Sequence, residues 1–496
     1  FRSAQEDLLP SYVETESGKT YHIVKAEMSD HQFGIYQKIR HQERDKEKKA
    51  KTAKRMGKDD DLFSMASSYR IFSRACCNFA FPNDIDRPEP NLKANQEIDE
   101  NTLDVIPGKE AADSPIEDDE LVKYETRIER AMNELNKNDS NGNKEYLNKR
   151  ALMTYSPKFT QILENLLSPE NKGLHLLYSH FRTIEGIGVI RLILLANGFS
   201  EFKIQKNNDT WEMVEEDDDI EKPKFVLYTG TESIEEKEII RNVYNGNWDY
   251  VPASISSKLM QKAENNNMGE VIKIMMITSS GAEGINLKNT RFVHIVEPYW
   301  HMVRVEQVVG RARRICSHQD LPPDMRNVKV FLYVSTLSDA QRTDKNNNEL
   351  INHDISRIDK KTTVTTDENL YEISSIKQKI NNQFLHAIKE SAVDCNLYSA
   401  SSNKKGEEMV CYGHGKVDTN AFSSHPSLEV DANIKDDLNI KKVTWKTQKI
   451  TYNNKDYVLN LNTNEVYNFE SYQNAVQTGN QPMVEGYLVN NKIEFM

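Results

Sequence analysis

The chain has 496 residues, with 64 Lys and Arg against 76 Asp and Glu, and a formal net charge of −12. That length has room for two to four domains, and an acidic chain meets nucleic acid only through local basic patches. Five cysteines (Cys76, Cys77, Cys316, Cys395, Cys411) do not make a secreted disulfide framework, which points to a soluble, intracellular protein in a reducing compartment. No apolar run is long enough to span a membrane, and no signal peptide is evident. The chain opens on Phe1, not Met, and reads as a fragment or a processed product.

Residues 1–28 read as an extended lead-in segment with a strand at 21–26. A helix starts at Ser29 or Asp30, either a good N-cap, and carries Phe33, Tyr36 and Ile39 on one stripe. It continues into residues 38–58, dense in Lys and Arg. A solvated helix accounts for that run better than a nucleic-acid contact does. Residues 29–170 form a helical region. Within it, residues 83–120 are rich in Pro, Asp, Glu and Asn and read as a flexible insert.

From Gly173 the pattern changes to alternating strands and helices. Strands are predicted at 174–179, 225–229, 271–277, 292–296 and 328–335, and helices at 185–197, 234–244 and 303–315. Gly198 is placed to end the first of these helices. This βαβα rhythm predicts an α/β fold, a parallel sheet with helices on both faces, over residues 171–340. Two polar stretches, 206–224 and 245–269, interrupt it and read as surface loops. Residues 341–442 read as a helical and irregular linker region. Residues 443–496 alternate short β-branched and aromatic runs (449–452, 456–461, 465–467, 483–489, 493–495) with Asn-rich turns, the pattern of a small antiparallel β module.

The chemistry concentrates in two segments. Ile277-Thr-Ser-Ser-Gly-Ala-Glu-Gly-Ile-Asn-Leu287 is a glycine-rich turn after an apolar strand, and glycines let backbone amides approach phosphates. Gln307-Val-Val-Gly-Arg-Ala-Arg-Arg314 is helical in pattern. It places Gln307, Gly310, Arg311 and Arg314 within two turns, and guanidinium forks suit the charge on a transferring phosphoryl group. Gly18-Lys19-Thr20 looks like the end of a phosphate loop, but Val13 stands where that loop needs glycine. Cys395, Cys411 and His414 could begin a zinc site. Its fourth ligand would be His425 or a carboxylate at irregular spacing, so no metal site is assigned. Cys76 and Cys77 read as buried free thiols.

The glycine-rich turn and the arginine helix resemble motifs V and VI of superfamily 2 helicases, and Leu176-Leu-Tyr-Ser-His-Phe181 resembles motif IV. Glu297-Pro-Tyr-Trp-His301, Tyr178–Gly186 and Arg70–Phe79 narrow the likeness. They are similar to helicases of large nucleocytoplasmic DNA viruses, a group related to Swi/Snf-like ATPases and the poxvirus early transcription factor small subunit. The resemblance implies a RecA-like lobe. It implies Arg311 and Arg314 approaching the γ-phosphate of ATP. It implies Gly281, Glu283, Gly284, Asn286, Gln307 and Gly310 coupling ATP to nucleic acid, and Ser179 and His180 touching DNA or RNA. ATP and Mg²⁺ are implied cofactors, bound mostly by a first lobe that this chain lacks. The full protein is then expected to be an ATP-dependent helicase or translocase, and this piece alone to be inactive. The alternative is a non-catalytic docking or regulatory platform in a viral transcription complex.

Overall fold

The computed structural model describes residues 8–55, 70–88, 96–98, 105–107, 118–208, 210–230, 232–279, 284–344, 350, 353–392, 395, 409–411, 446–453, 455–478, 482–489 and 492–495. Its strands, in chain order, are β1 (Ser11–Tyr12), β2 (Tyr21–Glu27), β3 (Gln96–Ile98), β4 (Val105–Pro107), β5 (Leu174–Tyr178), β6 (Ser200–Glu201), β7 (Lys203–Asn207), β8 (Thr210–Val214), β9 (Lys224–Tyr228), β10 (Ile274–Ile277), β11 (Thr290–Ile295), β12 (Asn327–Thr336), β13 (Thr447–Tyr452), β14 (Lys455–Asn460), β15 (Glu465–Asn468), β16 (Val484–Val489) and β17 (Lys492–Phe495). The chain divides into two compact units, Phe1–Lys379 and Ile380–Met496.

The first unit is built on an eight-stranded parallel sheet of order β1-β12-β11-β5-β10-β9-β6, with β2 also paired to β12. Side-chain alternation makes two cores from one sheet. Met275 and Ile277 of β10 and Val293 and Ile295 of β11 face the helices Ile234–Tyr244, Ala253–Lys262 and Met302–Ala312. Ile274 and Met276 of β10, with Phe292 of β11, face the helices Pro157–Leu167 and Ile187–Ala196. Near-continuous burial of these strands is what a doubly covered parallel sheet requires.

The domain boundaries read from sequence separate segments that the structure packs together. β2, from the lead-in segment, pairs in register with β12 from Tyr21↔Val330 to Glu27↔Thr336. The helix Asp30–Arg55 is capped by Ser29, whose Oγ accepts from the Gln32 N–H at 3.0 Å. Phe33 and Tyr36 of that helix pack with Cys76, Cys77 and Leu337. Residues assigned to a separate helical region therefore share a core with the end of the last strand. The first unit runs on to Lys379, past the expected edge at residue 340. The two stretches read as loops also hold structure. Residues 206–224 contribute to the antiparallel hairpin β7–β8, and residues 245–269 contain the helix Ala253–Lys262. The insert at 83–120 carries the short antiparallel ribbon β3–β4.

A buried polar chain crosses the sheet. His175 Nε2 lies 3.1 Å from the Asn171 carbonyl, which can only accept, so this nitrogen carries the proton. His175 Nδ1 then accepts from His294 Nε2 at 2.9 Å. His294 Nδ1 accepts from the Tyr333 hydroxyl at 2.9 Å, and Tyr333 accepts from Asn165 Nδ2 at 2.9 Å. Burial first, then the neighbouring His294 and Lys273, hold His175 well below the usual range, and burial with the charges of Lys273 and Lys329 holds His294 at about 3. Burial also holds His318 at about 4. All three are neutral when folded and protonate more readily when unfolded. The unfolded chain therefore binds more protons below its own histidine pKa, and stability falls as pH drops below about 6.5. The loss should reach on the order of 2 kcal/mol per histidine by about pH 5. Urea midpoints should shift down between about pH 7.5 and pH 5; equal midpoints would contradict this relay.

The second unit contains the antiparallel sheet β13-β14-β15-β16-β17. Tyr457, Leu459, Val466 and Ile493 form its core. All five strands fall where the sequence places them, within a few residues. The helix Phe469–Thr478 lies between β15 and β16, where no helix was expected. Cys395 and Cys411 form a disulfide, and this replaces the free-thiol chemistry a zinc site would need. His414 and His425 lie outside the described residues.

Candidate nucleotide and nucleic-acid site

The site lies at the carboxyl ends of the parallel strands, where open α/β sheets bind ligands. After β10, Gly281 and Glu283 lie outside the described residues. The described part of the turn resumes at Gly284, exposed, with φ +73°. That left-handed conformation favours glycine. Asn286 is exposed, and its carbonyl accepts from Asn245 Nδ2 at 2.9 Å, while the Lys288 N–H donates to Asn245 Oδ1 at 2.8 Å. The Leu287 N–H donates to the Arg311 carbonyl at 3.2 Å. The exit of the glycine turn is thus hydrogen-bonded directly to the arginine helix.

The helix Met302–Ala312 buries Met302, Val305, Val308, Val309 and Ala312. This stripe fixes which side chains remain outside. Gln307 is exposed, and Gly310, Arg311 and Arg314 are half-buried. Arg311 Nε is buried without a hydrogen-bond partner. Arg314 donates from Nε to the Gly310 carbonyl at 3.1 Å, and its N–H bonds Ser317 Oγ at 3.2 Å. Burial and the charge of Arg311 both lower the Arg314 pKa. Among the described residues neither arginine has a carboxylate partner. Two cations held together, each still charged, make a place for an anion.

Arg313 faces elsewhere. Its Nε donates to the Pro10 carbonyl at 2.8 Å, and its guanidinium lies 4.3 Å from the Tyr12 ring centroid. The Cys316 N–H reaches the Leu8 carbonyl at 3.0 Å. Arg313 therefore anchors the lead-in segment onto the end of the arginine helix. Gly18-Lys19-Thr20 sits in the turn between β1 and β2, and a strand, not a helix, follows it. A phosphate loop needs the following helix.

Ser179 and His180 follow β5 and are buried. Ser179 Oγ donates to Glu297 at 3.0 Å, and the His180 N–H also donates to that carboxylate. Asn78 Nδ2 reaches Glu297 at 3.2 Å, and Lys158 Nζ bridges Asn78 Oδ1 at 2.8 Å and Asp367 at 2.5 Å. As placed, neither Ser179 nor His180 offers a side chain to solvent. Their polar groups hold the turn in shape instead. Gly186 closes that turn: a Cβ there would lie 1.9 Å from the Phe181 carbonyl oxygen. The network joining Asn78, Lys158, Glu297 and Asp367 was missed in the sequence because its members lie far apart along the chain.

Residues 206–316 match the helicase conserved C-terminal domain. A protein of Acanthamoeba polyphaga mimivirus named as an ATP-dependent RNA helicase is 27% identical over 488 residues, covering 89% of this chain and 52% of that protein. A second protein of that virus with the same kind of name is 26% identical over 256 residues, covering 52% of this chain and 35% of that protein. The termination factor NPH-I homolog of African swine fever virus is 28% identical over 268 residues, covering 53% of this chain and 31% of that protein. The chain thus spans about half, or less, of the length of these relatives. The solved C-terminal part of the Fun30 ATPase domain aligns with TM-score 0.34 and 12% identity, covering 75% of this chain and 99% of that one. The first unit thus joins a doubly covered parallel sheet, and a turn hydrogen-bonded to an arginine-bearing helix, to a segment, residues 206–316, that is similar to the helicase conserved C-terminal domain.

Proposed function

We propose that this chain is the C-terminal part of an ATP-dependent helicase or translocase acting on DNA or RNA. Arg311 and Arg314 complete an ATP site whose phosphate loop and Mg²⁺ carboxylates belong to another lobe. The observation that carries this reading is a pair of half-buried arginines without carboxylate partners among the described residues, Arg311 in the last turn of a helix hydrogen-bonded to the glycine turn and Arg314 just past its end. The two guanidiniums fit phosphate oxygens. Bound ATP and Mg²⁺ supply the phosphoryl group and its charge neutralisation. This chain's part is electrostatic. Arg311 and Arg314 stabilise charge on the transferring group. The Leu287 N–H bond to the Arg311 carbonyl ties the state of that helix to the turn that would meet nucleic acid.

ADP with fluoroaluminate mimics the transferring phosphoryl group and tests the assignment. A two-lobe protein should retain the complex, and Arg311→Ala should lose fluoroaluminate retention while still binding ADP. Unchanged retention would remove Arg311 from the site. The relative named as a termination factor supports a second reading, a docking platform in a viral transcription complex. On that reading neither arginine would matter to nucleotide trapping.

A further inference from the structure

The arginine helix has a second cationic end. At its start, His301 is the N-cap and makes no side-chain cap hydrogen bond, and the first turn holds no acidic residue. Its first N–H groups carry the positive end of the helix dipole. The residues around that end converge on one ring, Tyr299. Arg304, in the first turn, lies 5.5 Å from the ring centroid, and Arg74 lies 5.8 Å from it. His180 stacks on it at 4.3 Å, and His301 meets it edge-on at 5.2 Å.

Two of these groups are buried with unpaired nitrogens, although His180 Nδ1 meets the Tyr178 hydroxyl at 3.2 Å. Arg74 is 1% exposed, wedged between Phe181 and Tyr299, with Nε and Nη2 making no hydrogen bond. His180 is 1% exposed and its Nε2 makes none. The nearby carboxylate, Glu297, is occupied by Ser179, the His180 N–H and Asn78. Arg304 has no ion-pair partner among the described residues. Orphaned buried donors normally mark a missing partner, and the orphaned donors of Arg74 belong to a cation.

We propose that Arg304, His301 and the uncapped start of the helix, with the buried charge of Arg74 behind the Tyr299 ring, bind a backbone phosphate of nucleic acid. The aromatic surroundings favour nucleic acid over an acidic protein segment. Trp300 adjoins the cluster, with Lys377 Nζ 5.9 Å from its ring centroid. Cations alternating with aromatic faces suit backbone and bases together. This assignment rests on the helicase reading but uses different residues. Arg304 and Arg311 are seven positions apart, about 10 Å along a helix. One helix would then hold nucleic-acid phosphate at its first turn and ATP phosphate at its last, and a shift at either end would be felt at the other.

The test uses the 496-residue chain and fluorescent oligothymidylate and oligouridylate, followed by anisotropy across a salt series. Arg304→Gln should weaken binding about tenfold and lower the log–log salt slope by about 0.7, the loss of one phosphate contact. His301→Asn, at an exposed position, should weaken binding a few-fold. Lys203→Gln, on the β7–β8 hairpin, should bind as the parent does. Parental affinity and slope in both Arg304→Gln and His301→Asn would overturn the proposal, as would a parent chain that binds neither oligonucleotide. Competition by poly-glutamate equal to that by oligonucleotide would overturn it in favour of a protein partner. Fluoroaluminate trapping that still depends on Arg311 while Arg304→Gln binds normally would reject this site alone. Loss of Arg311 dependence with an Arg304-dependent affinity would reject the ATP reading alone.

Discussion

Replacing Arg314 by alanine, in a protein that also carries the phosphate-loop lobe, should lower kcat by about 10³–10⁵-fold while changing ATP affinity far less. A guanidinium that meets charge developing only in the transition state contributes to turnover and little to ground-state binding. Arg314 Nε is held by the Gly310 carbonyl, the backbone N–H by Ser317, and Arg311 adds a second cation nearby. Arg314→Lys should recover only part of the rate, since an ammonium lacks the planar fork. Steady-state kinetics with KM and kcat separated check this. A kcat within a few-fold of the parent would remove Arg314 from the ATP site.

Replacing Asp354 by alanine should cost the first unit about 3–5 kcal/mol, the range for leaving a buried charge without its partner. Asp354 is 2% exposed. It accepts from Arg40 at 2.9 and 3.0 Å, from Arg44 at 2.9 Å and from Arg70 at 2.7 Å. Burial alone would raise its pKa. The Arg40 hydrogen bonds and the charges of Arg70, Arg40 and Arg44 outweigh that and hold it below the usual carboxylate range. Glu43 extends the hub, pairing with Arg40 and accepting from the Phe72 and Ser73 N–H groups. Without Asp354, the guanidiniums of Arg40, Arg44 and Arg70 would lose the buried anion they share. Whole-domain stability is commonly 5–15 kcal/mol, so the variant should unfold at much lower urea. A loss below about 1 kcal/mol would show that solvent or other partners reach these arginines.

The parallel α/β sheet was legible in the sequence because its signals are local. Apolar strands at 225–229 and 292–296 alternate with helices such as Ile234–Tyr244, whose observed bounds match the sequence reading. The arginine helix was legible through the i, i+4 spacing of Gln307 and Arg311. What escaped is non-local or weakly patterned. The pairing of β2 with β12 joins residues about three hundred positions apart, so residues 21–27 read as a detached segment. The Arg40–Asp354 contact has the same difficulty. The hairpin β7–β8 was hidden because only Ile204 and Met213 of it are buried, which leaves almost no period-two signal. The helix Ala253–Lys262 buries only Ile255 and Leu259. Ser179 and His180 were placed correctly at the end of a strand, but sequence could not show that Glu297 draws their polar groups inward. The basic residues around Tyr299 come from two segments, 74 and 299–304, that only the fold brings together.

On the proposed reading the ATP site is shared between lobes, and this chain supplies its arginines. The most direct test compares ATP turnover by the 496-residue chain alone with turnover after a phosphate-loop lobe is joined ahead of Phe1. The account predicts no turnover above background from the chain alone and nucleic-acid-stimulated hydrolysis once the lobe is present. Hydrolysis by the chain alone, surviving rigorous removal of contaminating ATPases, would contradict it.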